Sequence, residues 1–290
     1  MSEAFKETHL SLPTRGESRL GLTSFVPDAN PVAVVTVHGA TGVPARVYGR
    51  FARFLARERL VVITYDYAGV ARSRRGHPRD CGASIGSWGY EDADAVLDFA
   101  STTWPHLPQT AVGHSIGGFL LGLTPQAAKL KRVVTVGAQT AFPGDFAFPA
   151  GLPMAALYHG VMPMLTWAVG YFPASRLGLG EDLPAGVARQ WAERLWRRDV
   201  VPTIPPQHLW FDALVAHVLA WQVVDDRFAT QRAVTRLHNL FTHADVTLRS
   251  LAPAEAKRRR LGHLGFFGGQ EAHLGWRKSS EFLRGVEGCV

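Results

Sequence analysis

Short runs of aliphatic and β-branched residues alternate along this chain with stretches whose apolar positions recur every three or four residues. The runs 32–37 (VAVVTV), 60–65 (LVVITY), 109–113, 132–136 (RVVTV) and 217–224 (HVLAWQVV) are continuous rather than alternating. Strands buried on both faces of a parallel sheet read this way. Between them, 44–57 places Val47, Phe51, Phe54 and Leu55 at helical spacing, and helices are predicted there, over 88–102 and over 116–128. A helix over 230–241, a last strand over 246–251 and a helix over 270–283 follow. Two extended runs, 9–12 and 20–26, flank the turn-like Pro13-Thr14-Arg15-Gly16 and predict an opening hairpin. This βαβα rhythm specifies an α/β fold, a mostly parallel twisted sheet wrapped by helices with right-handed crossovers. Such sheets bind ligands at the carboxyl ends of their strands. Ser115, His38 and Asp66 all fall at such ends, and so on one rim.

The rhythm breaks between 141 and 206. Residues 146–175 carry no Lys, Arg, Asp or Glu, a run longer than the roughly 20 apolar residues a bilayer span needs. Pro149, Pro153, Pro163 and Pro173, with Gly151, Gly160 and Gly170, would interrupt a spanning helix repeatedly. The stretch therefore predicts a helical cap inserted over the rim. It continues over 182–196, where Ala185, Val187, Ala188, Trp191, Leu195 and Trp196 form one amphipathic face. The expected organisation is a core of 1–140 and 207–290 with a cap insertion over 141–206, within the reach of one large domain at 290 residues.

Composition changes this picture little. The chain is 47% hydrophobic and 19% charged, with a net charge of +7. Its arginines are scattered and no nucleic-acid motif accompanies them, so no nucleic-acid partner is expected. The run Lys257-Arg258-Arg259-Arg260 reads as a solvated face. Cys81 and Cys289 do not make a disulfide framework. Charges at Glu3, Lys6 and Glu7 sit where a signal peptide needs an apolar core. A cytoplasmic protein without an integral membrane segment is expected, and a homo-oligomer is compatible with all of this.

The chemistry concentrates at Gly113-His114-Ser115-Ile116-Gly117, a G-x-S-x-G pattern between a predicted strand and a predicted helix. A serine on so sharp a turn has its hydroxyl exposed, with the first amides of the helix aimed at whatever it attacks. Its neighbours two positions away must be small to avoid the adjoining backbone. With the His38-Gly39-Ala40 loop, Asp226 after a late strand and His263 after the last one, the chain resembles the α/β-hydrolase superfamily over nearly its whole length, as a serine esterase-like member with a cap.

The resemblance implies a catalytic triad of Ser115, Asp226 and His263, with Asp225 the alternative acid one register early. It implies an oxyanion hole built from the amides of Ala40 and Ile116. His263 would take the serine proton and return it to the leaving group, while Asp226 fixes its tautomer. His114 reads as a packing residue rather than a base. Residues 66–73 resemble the family's D-x-R-G-x-G-x-S loop, with Ala68 and Ala71 replacing its Arg and second Gly. His38, expected mainly to brace its loop, joins Phe142, Met162 and Trp167 as candidate pocket residues.

No H-E-x-x-H, paired Cys/His spacing or G-x-G-x-x-G follows a strand, so neither metal nor cofactor is expected. The reading is hydrolysis of a carboxylic ester with a hydrophobic acyl group, a small-molecule substrate, through an acyl-enzyme on Ser115. A thioesterase or acyltransferase would use the same triad. A catalytically idle ligand-binding protein on the same fold is the alternative from another class.

Overall fold

The computed structural model describes residues 4–16, 18–193, 204–269 and 273–286. The opening hairpin pairs β1 (Phe5–Pro13) with β2 (Arg19–Pro27) antiparallel. Then come β3 (Ala33–His38), β4 (Leu60–Tyr65), β5 (Gln109–His114) and β6 (Leu130–Val136). A small ribbon of β7 (Tyr171–Phe172) and β8 (Leu183–Pro184) precedes β9 (His217–Val223) and β10 (Asp245–Leu251). Eight strands form one sheet in the order β1-β2-β4-β3-β5-β6-β9-β10, parallel from β4 to β10.

Successive residues of the central strands feed opposite cores, as the two-residue strand period requires. Val34, Val61, Ala111 and Val133 face a layer containing Trp88 and Phe119. Val35, Val62, Val112 and Val134 face Phe51, Phe266, Phe267 and Trp276. The second layer is covered by α1 (Gly49–Arg57), entered through a 3₁₀ turn at Ala45–Tyr48, and by the C-terminal helix described below. The first is covered by α2 (Ile85–Ser87), a wide turn at Trp88–Ala93 and α3 (Asp94–Thr103).

The helix predicted over 116–128 is shorter than its apolar pattern suggests. α4 spans Ile116–Leu120, and 3₁₀ turns at Leu121–Leu123 and Pro125–Lys129 follow. Pro125 is the cause: it drives Thr124 out of the helical region, to φ −132° and ψ 133°. The Thr124 hydroxyl then accepts the Gln126 amide and donates to Asp94.

Between β6 and β9 lie α5 (Gly151–Ala156), α6 (Met162–Val169), joined by a π-type turn at Leu157–Val161, and α7 (Ala185–Glu193). Leu195 and Trp196, assigned from sequence to the last of these, lie outside the described residues. Buried Asp145 anchors the start of this segment to α8 (Gln231–His238) through Arg236 and through Arg232 at 2.8 Å. α9 (Leu274–Arg284) closes the described chain. No helix among the described residues is long and apolar enough to cross a membrane.

The rim loop after β4 shows what its departures from the family pattern do. Ser73 donates to the Asp66 carbonyl at 2.5 Å and accepts the Gly21 amide at 2.8 Å, tying the loop to the hairpin. Ala71, where the pattern has glycine, sits at φ 39°, a left-handed backbone that costs an L-residue about 1 kcal/mol or more. Ala71→Gly is expected to raise stability by up to about 1 kcal/mol, read as a higher Tm in thermal melts.

Candidate active site

Ser115 links β5 to α4 with φ 54° and ψ −118°. The Ser115 amide donates to the Val136 carbonyl at 3.0 Å, which holds this conformation. The glycines around it are required by close approach. A Cβ at Gly113 would stand 2.6 Å from the Gly118 Cα, and one at Gly118 would stand 2.5 Å from the Ala138 Cβ. A Cβ at Gly117 would overlap the His38 carbonyl oxygen, so the loop after β3 lies directly against the start of α4.

The Ser115 Oγ is 2.9 Å from His263 Nε2, and His263 Nδ1 is 2.6 Å from Asp226 Oδ2. Burial raises the Asp226 carboxyl. The hydrogen bond and electrostatic interaction with His263 and the amides of Phe228 and Ala229 more than offset this and hold it below the usual carboxylate range. An ionised carboxylate only accepts, so Nδ1–H donates to Asp226 and Nε2 accepts the serine proton. Asp225 is occupied differently: its carboxylate accepts the amides of Leu261 at 3.0 Å and Gly262 at 2.9 Å. The two adjacent aspartates thus divide the work, one holding the imidazole and the other the loop that carries it. Gly137, at φ 53°, lies beneath them; a Cβ there would be 3.2 Å from Asp226 Oδ2.

A second buried chain supports the site from behind. His114 Nε2 lies 2.9 Å from the His263 carbonyl oxygen, and His114 Nδ1 lies 2.8 Å from the Tyr48 hydroxyl. Burial lowers His114 to about 3, with the nearby His263 adding to the effect, so this ring is neutral. The Ala40 amide donates to the Tyr48 oxygen at 2.7 Å. The Ala40 N–H, expected at the oxyanion hole, is thus shared with Tyr48, and Ala40 itself lines the cavity that holds Ser115. Ile116 stands at the first position of α4, beside the serine. In sequence Tyr48 is only one position of the 44–57 helix; the signal it offers is a phenol on a core-facing turn, whose hydroxyl needs a partner when buried.

His38 is a correction. Its ring is fully buried, lowered to about 3 by desolvation, and held by Tyr65 at 2.8 Å and Thr36 at 3.0 Å. It braces the loop and lines no part of the cavity. That cavity, of about 380 Å³, opens on Ser115 and His263 and is walled by Thr41, Phe146, Tyr158, Met162, Phe172, Phe228 and neighbouring residues. Met162 lines this cavity. Trp167 does not: it is 86% exposed, on the opposite side of α6 from buried Met162 and Thr166. Phe142 is turned away from the cavity, beneath the Arg236 guanidinium 5.5 Å from its ring centre.

Asp66 works as a brace, accepting the Ala45 amide at 2.6 Å and the Arg72 amide at 3.2 Å. The Cys81 thiol is partly buried, and burial pushes its pKa up, which leaves it poorly suited to nucleophilic attack. Cys289 lies outside the described residues, whereas the Lys257–Arg260 run is exposed. Among the described residues no group of three or more His, Cys, Asp or Glu side chains could hold a metal ion.

A mostly parallel sheet, a serine on a strained strand-to-helix turn and a late His–Asp pair beside it define the α/β-hydrolase class. Residues 29–194 match the family model described as serine aminopeptidase, S33, and the chain belongs to that family of α/β hydrolases. The match includes Ser115; Asp226 and His263 lie beyond it.

Solved structures share the fold at low identity. An α/β hydrolase, GrgF, from Penicillium sp. sh18 is 14% identical with a TM-score of 0.61, covering 96% of this chain and 98% of that one. A highly thermostable carboxyl esterase from Bacillus coagulans is 14% identical with a TM-score of 0.55, covering 85% and 90%. An esterase from Pyrococcus furiosus is 14% identical with a TM-score of 0.55, covering 90% and 84%.

One buried carboxyl under the rim gives a pH prediction. Asp92 accepts the Ala68 amide at 2.8 Å, and burial pushes its pKa up to about 7, opposed by that amide and assisted by Glu91. The folded value lies above the unfolded value of about 3.9. Its relative stabilisation is therefore complete below about pH 4 and is lost as pH rises through about 7. Asn keeps the acceptor without the charge. Asp92→Asn is expected to raise Tm at pH 8 by several degrees, with the gain shrinking towards pH 4 in a melting series.

Proposed function

We propose that this protein is a serine hydrolase that cleaves a carboxylic ester bearing a hydrophobic acyl group. The observation that carries the reading is the continuous Ser115–His263–Asp226 hydrogen-bond relay at the mouth of an apolar cavity. His263 Nε2 takes the serine proton as Oγ attacks the ester carbonyl, and the imidazolium formed is stabilised by ionised Asp226. That proton then passes to the departing alkoxide, leaving an acyl-enzyme on Ser115. Water attacks the acyl carbon in the second half, with His263 accepting a proton and returning it to Ser115 Oγ as the acyl–Oγ bond breaks and the carboxylic acid is released.

The described wall of the cavity is apolar or neutral. Burying an acyl chain there is favourable by about 0.8 kcal/mol per methylene, whereas the α-ammonium of a peptide would be stripped of water without a carboxylate to receive it. This favours an ester over the aminopeptide that the family's description suggests. Residues 141–206 form a cap over a core of 1–140 and 207–290 in this reading, and the cap sets the acyl-chain preference.

Intact mass after exposure to a fluorophosphonate is the direct test. A single adduct is expected on the wild type and none on Ser115→Ala, with labelling of His263→Ala slowed at least about 10³-fold. With p-nitrophenyl esters, Asp226→Asn is expected to lower kcat by about 10⁴-fold. Asp225→Asn, which loosens the His263 loop without touching the ring, should cost no more than about 10²-fold. Folded wild-type protein that takes no adduct and cleaves no ester in the series would overturn the assignment.

A further inference from the structure

We propose that Gln139 selects the substrate: its side-chain Nε2 donates a hydrogen bond to an acceptor oxygen, a ketone or an ether, carried within the acyl chain of the ester. The inference rests on the ester-hydrolase reading above and narrows its substrate class from a hydrophobic acyl group to one that bears an oxygen.

Gln139 lies just past β6, at the end of the strand where a parallel sheet meets its ligand. The positions before it are packed against the triad. The Val136 carbonyl accepts the Ser115 amide at 3.0 Å, and the Gly137 amide donates to the Trp221 carbonyl at 2.9 Å. A Cβ at Gly137 would stand 3.2 Å from Asp226 Oδ2 and 3.5 Å from His263 Cε1, and Ala138 lies against Gly118 of α4. Gln139 is the next residue along this ridge, and it lines the same cavity as Ser115 and His263.

The chain itself fixes which way the Gln139 amide points. Its Oε1 accepts the Ala141 N–H, and a backbone amide can only donate, so the oxygen and the nitrogen cannot exchange places. Ala141, at φ 61°, completes the turn that makes this bond. Nε2 is left without an acceptor among the described residues. Unlike the Thr41 hydroxyl and the Trp191 indole N–H on the same wall, it keeps accessible surface, in a residue only 5% exposed.

An unpaired donor in a chamber walled by Phe146, Leu157, Met162 and Phe172 sets a specific demand. A methylene against it would bury the N–H beside hydrocarbon, whereas an oxygen there would pair it, so the two substrates differ by more than the bond alone. Because Nε2 only donates, the complementary group is one that only accepts, a ketone or an ether.

The test sets ethyl hexanoate against its 3-oxa, 4-oxa and 5-oxo analogues, with each kcat/KM divided by the rate of alkaline hydrolysis to remove intrinsic reactivity. The wild type is expected to prefer at least one oxygenated ester. Gln139→Met, which fills a similar volume without the donor, is expected to lower that preference by about tenfold or more. A purely structural role would lower all four esters together. Melting curves verify folding, with Gln139→Leu in reserve. Normalised wild-type ratios at or below one for all three analogues overturn the proposal whether or not either variant folds. Equal preferences in the wild type and a folded variant also overturn it, as does a preference that instead follows an oxygen on the alcohol side, read with 2-methoxyethyl hexanoate. In each of these cases cleavage of ethyl hexanoate leaves the hydrolase reading standing. A wild type that takes no fluorophosphonate label and cleaves none of the esters removes that reading and this inference together.

Discussion

The backbone of Ser115, held at a positive φ that an L-residue adopts only under constraint, is what the rest of the site depends on. Such strain persists only where the surroundings over-determine it. Here the Val136 carbonyl holds the serine amide, and glycines at 113, 117 and 118 let three backbone segments meet where no Cβ would fit. The consequence reaches past the serine. Because Gly117 has no side chain, the His38 carbonyl can lie against the start of α4, and the loop from Gly39 to Val43 becomes one wall of the site.

Environment, rather than residue type, then assigns the roles of the histidines and acids. His38 and His114 are sealed in the core, neutral, and held between fixed partners; they act as hydrogen-bonded struts. His263 has an ionised acid on one nitrogen and the serine on the other. Asp225 and Asp226 are adjacent in sequence yet face different groups, because the turn after β9 sends one carboxylate to the amides at 261 and 262 and the next to the imidazole. Swapping their registers would leave His263 without an acceptor and its loop without a clamp.

The parts legible in the sequence were those set by local pattern. The buried runs of β3 to β6 and β9 announced a parallel sheet because strands covered on both faces have no polar side. The G-x-S-x-G turn was legible because close approach forces glycine. Apolar spacing over 116–128 suggests one long helix, whereas α4 stops at Leu120 and Pro125 holds Thr124 extended, which keeps the pattern from continuing as helix. Tyr48 and the clamping role of Asp225 are hidden in the sequence because their meaning depends on partners far along the chain, His114 for one and the amides at 261 and 262 for the other. The Ala40 amide illustrates the same limit: its place in the loop was readable, but its hydrogen-bond partner was not.

The charge-free stretch from 146 to 175 makes the last point about pattern and burial. Periodicity finds a helix's apolar face only when the other face is polar, and here neither face is charged. Met154, Leu157, Tyr158 and Met162 turn inward to the cavity, while Leu152, Met164 and Trp167 point to solvent from the same run. Composition alone could not separate Met162 from Trp167. The wall they build is what the proposed substrate preference rests on: an apolar chamber above a serine rewards methylene groups and penalises an unpaired ammonium, and in that proposal the stretch after β6 selects the substrate while the sheet beneath it holds the serine.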